Sequence, residues 1–237
     1  MKDNPRATRR EALVMFGATG VALTIGCGGD TATSPDTPST SPTTPAGTTA
    51  ACAPSPSETA GPYPSLTDIV RSDIRAGRPG VLVVLTLTVV NASNGCAPVS
   101  GAFVEIWQCD AAGRYSEYTQ PGYDGRAETF LRGMQTTDAS GRVTFTTIYP
   151  GWYAGRATHI HAEVTVNGRS SKVTQIAFPE SVNSAVYASA QYASRGNNPT
   201  SNARDMVFAD SLASELASVS GDPAGGYTAS FTIGIPA

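Results

Sequence analysis

The two histidines of the chain, His159 and His161, are separated by a single residue. The residues that follow them, 162–166, alternate in the manner of a β-strand. Side chains of a strand alternate between its two faces, so both imidazoles are expected on the same face. Two imidazoles held a few ångströms apart are suited to binding one metal ion.

Oxygen donors and a cation lie close to this pair. Tyr149 and Tyr153 flank the turn-forming Pro-Gly pair at 150–151, and Arg156 lies three residues before His159. Phenolate oxygens are hard anionic donors, which favour a trivalent ion such as iron(III) over a soft metal. The arginine could face a bound anion. Two nearby histidines also fit a solvated strand face, and it is the tyrosines and the arginine that favour a metal site.

These residues resemble the intradiol ring-cleavage dioxygenases, which include the catechol 1,2- and protocatechuate 3,4-dioxygenases. The strings that carry the resemblance are FLRG at 130–133, TIYPGWY at 147–153, GRATHIH at 155–161 and GRY at 113–115. They are most similar to secreted members of the family. The resemblance implies an all-β fold, an antiparallel β-sandwich with few short helices and with the iron site in loops at one end.

The resemblance also implies a ligand set for a non-haem Fe(3+) cofactor. Tyr115 and Tyr153 would bind as tyrosinates, and His159 and His161 would bind as neutral imidazoles. The substrates would be a small aromatic diol, bound as a chelating dianion, and O2. Diol binding would displace Tyr153 while Tyr115 stays bound, and the product would be a cis,cis-muconate-type diacid.

Further residues are expected around the substrate. By resemblance, Arg156 stabilises negative charge on the ring oxygens, and Gln175 orients the reacting diol. Tyr63, in a Gly-Pro-Tyr-Pro turn, and the loop residues Tyr118 and Tyr123 are expected to line the pocket. Each of these three tyrosines equally fits an ordinary turn or surface position.

Apolar and alternating runs predict the strands that position the site. The first two are joined by a short connection and are expected to form an antiparallel hairpin. Helical turns are expected mainly within 181–216. The predicted strands are 81–90, 99–109, 143–148, 172–178 and 227–233.

The front of the chain has the features of an export signal and a tether. Residues 1–27 contain a twin arginine and an apolar stretch too short to span a bilayer. The Thr-Ile-Gly-Cys sequence that ends at Cys27 resembles a lipobox, so Cys27 is the expected lipid anchor. Residues 28–50 consist of Thr, Ser, Pro, Gly, Asp and Ala, which predicts a disordered linker. The sequence therefore predicts an exported protein whose folded domain spans 51–237.

The cysteines are consistent with export, which permits disulfides. Cys96 and Cys109 lie near opposite ends of one predicted strand, too far apart to pair. By resemblance to secreted relatives, Cys52 is expected to pair with Cys96. Cys109 is then a buried free thiol, or alternatively a thiolate ligand of the iron.

Other functions fit parts of the pattern. The net charge of −3 comes without a basic patch, which argues against nucleic-acid binding. A non-catalytic, surface-tethered β-sandwich binding module would need no metal. A zinc or copper hydrolase could use His159 and His161 with Glu163 as third ligand. For a dioxygenase, the diol could be catechol, protocatechuate, hydroxyquinol or a substituted catechol.

Overall fold

The computed structural model describes residues 53–236, which form two β-sheets, a small hairpin and one short helix. The predicted signal at 1–27, the linker at 28–50 and Cys52 lie outside the described residues. The helix is α1 (Glu180–Tyr187), and three 3₁₀ turns follow it at Ala193–Arg195, Asn202–Arg204 and Leu212–Ser214. The strands are β1 (Leu82–Asn91), β2 (Ala97–Pro98), β3 (Phe103–Trp107), β4 (Thr119–Gln120), β5 (Tyr123–Asp124), β6 (Arg132–Thr136), β7 (Arg142–Ile148), β8 (His159–Val166), β9 (Arg169–Ala177), β10 (Ser218–Asp222) and β11 (Gly226–Ile235).

The first sheet is built around β1. This strand pairs in parallel with β11 on one side and antiparallel with β7 on the other. β10 pairs with the outer edge of β11, and β2 pairs with the end of β1 that β7 leaves free. The predicted all-β sandwich with few helices is confirmed, and the parallel pairing of β1 with β11 departs from a purely antiparallel arrangement.

The second sheet has the order β6-β3-β8-β9, with antiparallel pairing throughout. The predicted hairpin between strands 81–90 and 99–109 is therefore wrong, because β3 lies in this sheet and only the two-residue β2 pairs with β1. The apolar faces of β1 and β3 are buried in one core between the sheets, with Leu85, Leu87, Val104 and Ile106 fully buried. Stacking the two strands face to face buries more apolar surface than pairing them side by side.

The alternation along β8 places the two histidines on the outer face of the second sheet. Ile160, between them, is fully buried in the core, so its neighbours His159 and His161 point the other way. Both histidines are nonetheless at most 3% exposed. Other segments must therefore cover this outer face.

One of those segments is an N-terminal strap, residues 55–64, that crosses the outer face of the second sheet. It is anchored at β9 by a hydrogen bond from Glu58 N to Val173 O, 2.9 Å long, and by Lys172 Nζ, which donates to Ser55 O at 2.7 Å. At its other end, an Arg132 guanidinium nitrogen donates to Tyr63 O at 3.1 Å. The sequence had indicated a rigid turn with Tyr63 as a pocket residue, but not a segment that covers the sheet.

Cys96 is disulfide-bonded, and Cys109 is a buried free thiol. The expected partner of Cys96, Cys52, lies outside the described residues, so their pairing stays a prediction. No helix within residues 53–236 is both long and apolar enough to cross a membrane.

Candidate metal centre

The four predicted ligands form one cluster on the outer face of the second sheet. His159 Nε2 lies 3.1 Å from His161 Nε2, and Tyr153 Oη lies 3.1 Å from His159 Nε2. The Tyr115 ring meets the Tyr153 ring edge-on, with centroids 5.8 Å apart, and its centroid is 6.5 Å from that of His161. The histidines come from the start of β8 and the tyrosines from two loops, so the site is only partly built from loops.

A close backbone contact brings the two tyrosine loops together. Gly113 has a φ of +77°, and a Cβ at this position would lie 2.2 Å from the carbonyl oxygen of Trp152. Only glycine tolerates both the left-handed conformation and this approach. The contact joins the loop that carries Tyr115 to the residue that precedes Tyr153.

Both imidazoles are held neutral. His159 Nδ1 lies 2.6 Å from the Ala157 carbonyl oxygen, which can only accept, so Nδ1 carries the proton and Nε2 presents its lone pair to the cluster. Burial, assisted by the charge of Arg156, lowers the pKa of His159 to about 3. Burial and the neighbouring His159 lower the pKa of His161 well below its ordinary value. The neutral form is the one that binds metals.

The phenol oxygen of Tyr115 shows that the donor set fits a cation. Tyr115 is 1% exposed, and its Oη is buried without a hydrogen-bond partner among the described residues. An unpaired buried hydroxyl costs about 1–3 kcal/mol. Burial raises the pKa of Tyr115 well above its ordinary value. A bound ion would satisfy this oxygen and stabilise its phenolate, and two phenolates with two imidazoles suit iron(III).

Neither alternative ligand, Glu163 or Cys109, forms a metal-holding group with the two histidines. Within residues 53–236, no group of three or more His, Cys, Asp or Glu side chains is placed to hold a metal ion. Glu163 lies two residues beyond His161 on β8, and its side chain is not placed to complete such a group with the histidines. Cys109 packs in an apolar cluster with Trp107 and Tyr115, against which Tyr153 also packs, and burial holds the pKa of its thiol far above the ordinary value, in the protonated form.

Arg156 lies beside the cluster and is fixed by a carboxylate that sequence reasoning missed. Its Nε donates to Asp205 Oδ2 at 2.9 Å, and the Asp205 side chain is fully buried. The same carboxylate oxygen accepts from Ala157 N at 2.5 Å. A second Arg156 nitrogen donates to Gln175 Oε1. Asp205 lies 49 residues after Arg156 in an irregular segment, where no local pattern marks it.

The three predicted pocket tyrosines have different environments. The Tyr63 ring packs on the Tyr115 ring with centroids 4.9 Å apart. Tyr118 packs edge-on against Tyr63 at 5.3 Å and donates to Pro64 O at 2.8 Å, so it lies one layer further out. The Tyr123 hydroxyl bonds instead to Arg78, at 3.0 Å, and to Glu128.

Two further residues support the cluster, and neither was among the predicted site residues. The Trp107 ring stacks on the His161 ring, with centroids 5.0 Å apart and planes 3° from parallel. Arg132 is fully buried and donates to Ser116 O at 2.7 Å, next to Tyr115. An arginine inside the FLRG string was the available signal, since buried arginines need fixed partners.

Solved structures resemble this fold over most of its length. An intradiol ring-cleavage dioxygenase from Tetranychus urticae is 32% identical, with a TM-score of 0.70 over 78% of this chain and 96% of its own. The dioxygenase domain of a dioxygenase carbohydrate-binding protein fusion from Streptomyces sp. SirexAA-E is 27% identical. It superposes with a TM-score of 0.55 over 76% of this chain and 97% of its own.

Relatives identified by sequence match a smaller part of the chain than the solved structures do. The protocatechuate 3,4-dioxygenase beta chain of Burkholderia cepacia is 36% identical over 122 residues, which is 47% of this chain and 51% of its own. The catechol 1,2-dioxygenase of Candida albicans is 37% identical over 112 residues, which is 38% of this chain and 36% of its own. The chain thus spans about half the length of the first relative and about a third of the second. A family model described as Dioxygenase matches residues 55–194, which is more than half of the 237 residues. Together with the similarity to the intradiol ring-cleavage dioxygenase from Tetranychus urticae, this match shows that the chain belongs to the intradiol ring-cleavage dioxygenase family.

Proposed function

We propose that the chain is a non-haem iron(III) intradiol dioxygenase, which cleaves an aromatic vicinal diol between its two hydroxylated carbons. The observation that carries this proposal is the convergence of Tyr115, Tyr153, His159 and His161 on the covered outer face of the second sheet. When bound there, the ion would supply Lewis acidity and a template for the diol. Both atoms of O2 enter the diacid product, so no external reductant is required.

The two tyrosines differ in their freedom to move. Tyr115 is enclosed, at 1% exposure, between the rings of Tyr63 and Tyr153. Tyr153 is only partly buried, and its hydroxyl lies 3.1 Å from His159 Nε2. Tyr153 is therefore the side chain whose phenolate would turn away and take a proton from the incoming diol, while Tyr115 would stay in place.

Arg156 is placed to stabilise anionic oxygens. Its charge opposes the burial that raises the pKa of Tyr153 to about 12, so the guanidinium lies within electrostatic reach of that phenol oxygen. The ion pair with Asp205 fixes the guanidinium before substrate arrives. Fixed charges of this kind stabilise charge that develops during a reaction without reorganisation. Arg156 would thus stabilise the deprotonated diol and the negative charge that develops on its ring oxygens.

We also propose that the protein is exported and lipid-anchored. This proposal rests on the sequence of residues 1–50, which lie outside the described part of the chain.

Oxygen uptake tests the reaction directly. The iron-loaded protein should consume one O2 per molecule of at least one of catechol, protocatechuate and hydroxyquinol, and should release a product two oxygen atoms heavier than the diol. Resorcinol should be inert, because its hydroxyls are not adjacent and cannot chelate one ion. If the iron-loaded protein consumes no O2 with any of the three vicinal diols, the proposal is contradicted.

Tyr115→Phe should remove most of the visible colour and lower the iron content. Tyrosinate-to-iron(III) charge transfer colours such proteins, and the substitution deletes one of the two phenolate donors. Absorption spectra and metal analysis provide the measurement. Tyr123→Phe is the matched control, since that hydroxyl bonds to Glu128 and Arg78 and should be dispensable for colour. Equal colour and iron in the two variants would refute the ligand assignment.

The intact mass of the mature protein tests export. A chain that begins at Cys27 and carries added lipid is expected. Recovery of the complete unprocessed chain from a competent host would rule the anchor out.

A further inference from the structure

The turn at 59–61, within the strap, approaches His161 with its backbone. Gly61 N donates to Thr59 Oγ1 at 3.1 Å, and Gly61 has a φ of +71°. A Cβ on Gly61 would lie 3.0 Å from His161 Cε1 and 3.3 Å from Nε2, the nitrogen that faces the other ligands. A side chain at position 61 would therefore push on the imidazole at its metal-binding edge.

The same turn lies beside the other nitrogen of His161. His161 Nδ1 is buried without a hydrogen-bond partner among the described residues, whereas His159 Nδ1 has the Ala157 carbonyl. A Cβ on Gly61 would lie 4.0 Å from His161 Nδ1, so the turn passes beside it. Metal-binding histidines generally donate their second N–H to an acceptor such as a backbone carbonyl.

Gln175 holds this turn in place. Its Nε2 donates to Thr59 O at 2.8 Å, and its Oε1 accepts from Arg156. A guanidinium only donates and a carbonyl only accepts, so this orientation of the amide is fixed. Gln175 is fully buried and lies opposite His161 in the pairing of β8 with β9. Both ends of its amide are thus used by the protein itself.

We propose that the turn at 59–61 positions His161 for metal binding, and that Gln175 acts through this turn rather than by contact with the diol. Gln175 and Gly61 are then positioning residues, and the chain Asp205–Arg156–Gln175–Thr59 links the charge beside the diol to the backbone beside the histidine. This inference rests on the proposed function, because it takes His161 as an iron ligand.

Gly61→Ala tests the contact, and Gly77→Ala is its matched control. Gly77 has a φ of +77° and open space where a Cβ would stand, so it carries the same backbone strain without the contact. Gly61→Ala should weaken iron binding by roughly 10–100-fold, the range for loss of a ligand's support. It should also shift the iron(III) electron paramagnetic resonance signal, while Gly77→Ala matches the wild type in both. Equal behaviour of the two variants would overturn the proposal.

Gln175→Glu tests the link without changing the glycine. The carboxylate can still accept from Arg156, but it cannot donate to the Thr59 carbonyl and repels it. Amide hydrogen exchange of the metal-free protein should become faster at 58–61, and iron binding should weaken. Gln135→Glu is the matched control, since Gln135 also donates to a carbonyl, Thr144 O at 2.6 Å, on the exposed surface.

The outcomes separate this inference from the proposed function. Wild-type protein that binds no iron would overturn the proposed function itself. Wild type that binds iron, with unchanged exchange at 58–61 in Gln175→Glu, would overturn only the role given to Gln175 and the turn. Should Gly61→Ala fail to fold, as circular dichroism would show, the exchange measurement on Gln175→Glu decides.

Discussion

The position of the candidate centre depends on the two-residue alternation along β8. Ile160 is fully buried in the core, which stabilises the fold by roughly 1.5–3 kcal/mol relative to exposure. A slip of one residue would expose Ile160 and turn both histidines into the core. The burial of one apolar side chain thereby fixes the direction of two imidazoles, and the pairings of His161 with Trp107 and Gln175 follow from the same register.

The outer face of the second sheet, which holds the imidazoles and phenols, must also be shielded from solvent. The strap, the two tyrosine loops and the segment around Asp205 cover it, and each is fastened by a buried polar contact. Two arginines hold these segments in place through ion pairs. Arg156 pairs with Asp205 at an N–O distance of 2.9 Å, and Arg132 pairs with Glu117 at 3.2 Å. Buried charges are tolerated only when paired and hydrogen-bonded.

Local patterns were sufficient for some features and not for others. The alternation after His161 predicted that both histidines share one face of a strand, and the family resemblance carried by the strings around Tyr115 and Tyr153 assigned the two tyrosines to the same centre. The hairpin prediction failed since a short connection between two apolar strands can lead either to a neighbouring strand or across the core. Asp205 and the strap lie far along the chain from their partners, and such contacts are made only by the tertiary fold.

The most direct measurement is a crystal structure of the iron-loaded protein with anomalous diffraction collected at the iron absorption edge. One anomalous peak should lie within bonding distance of Tyr115 Oη, Tyr153 Oη, His159 Nε2 and His161 Nε2. A peak bound by Glu163 or Cys109 instead, or one from which either tyrosine or either histidine points away, would contradict a ferric centre at this place.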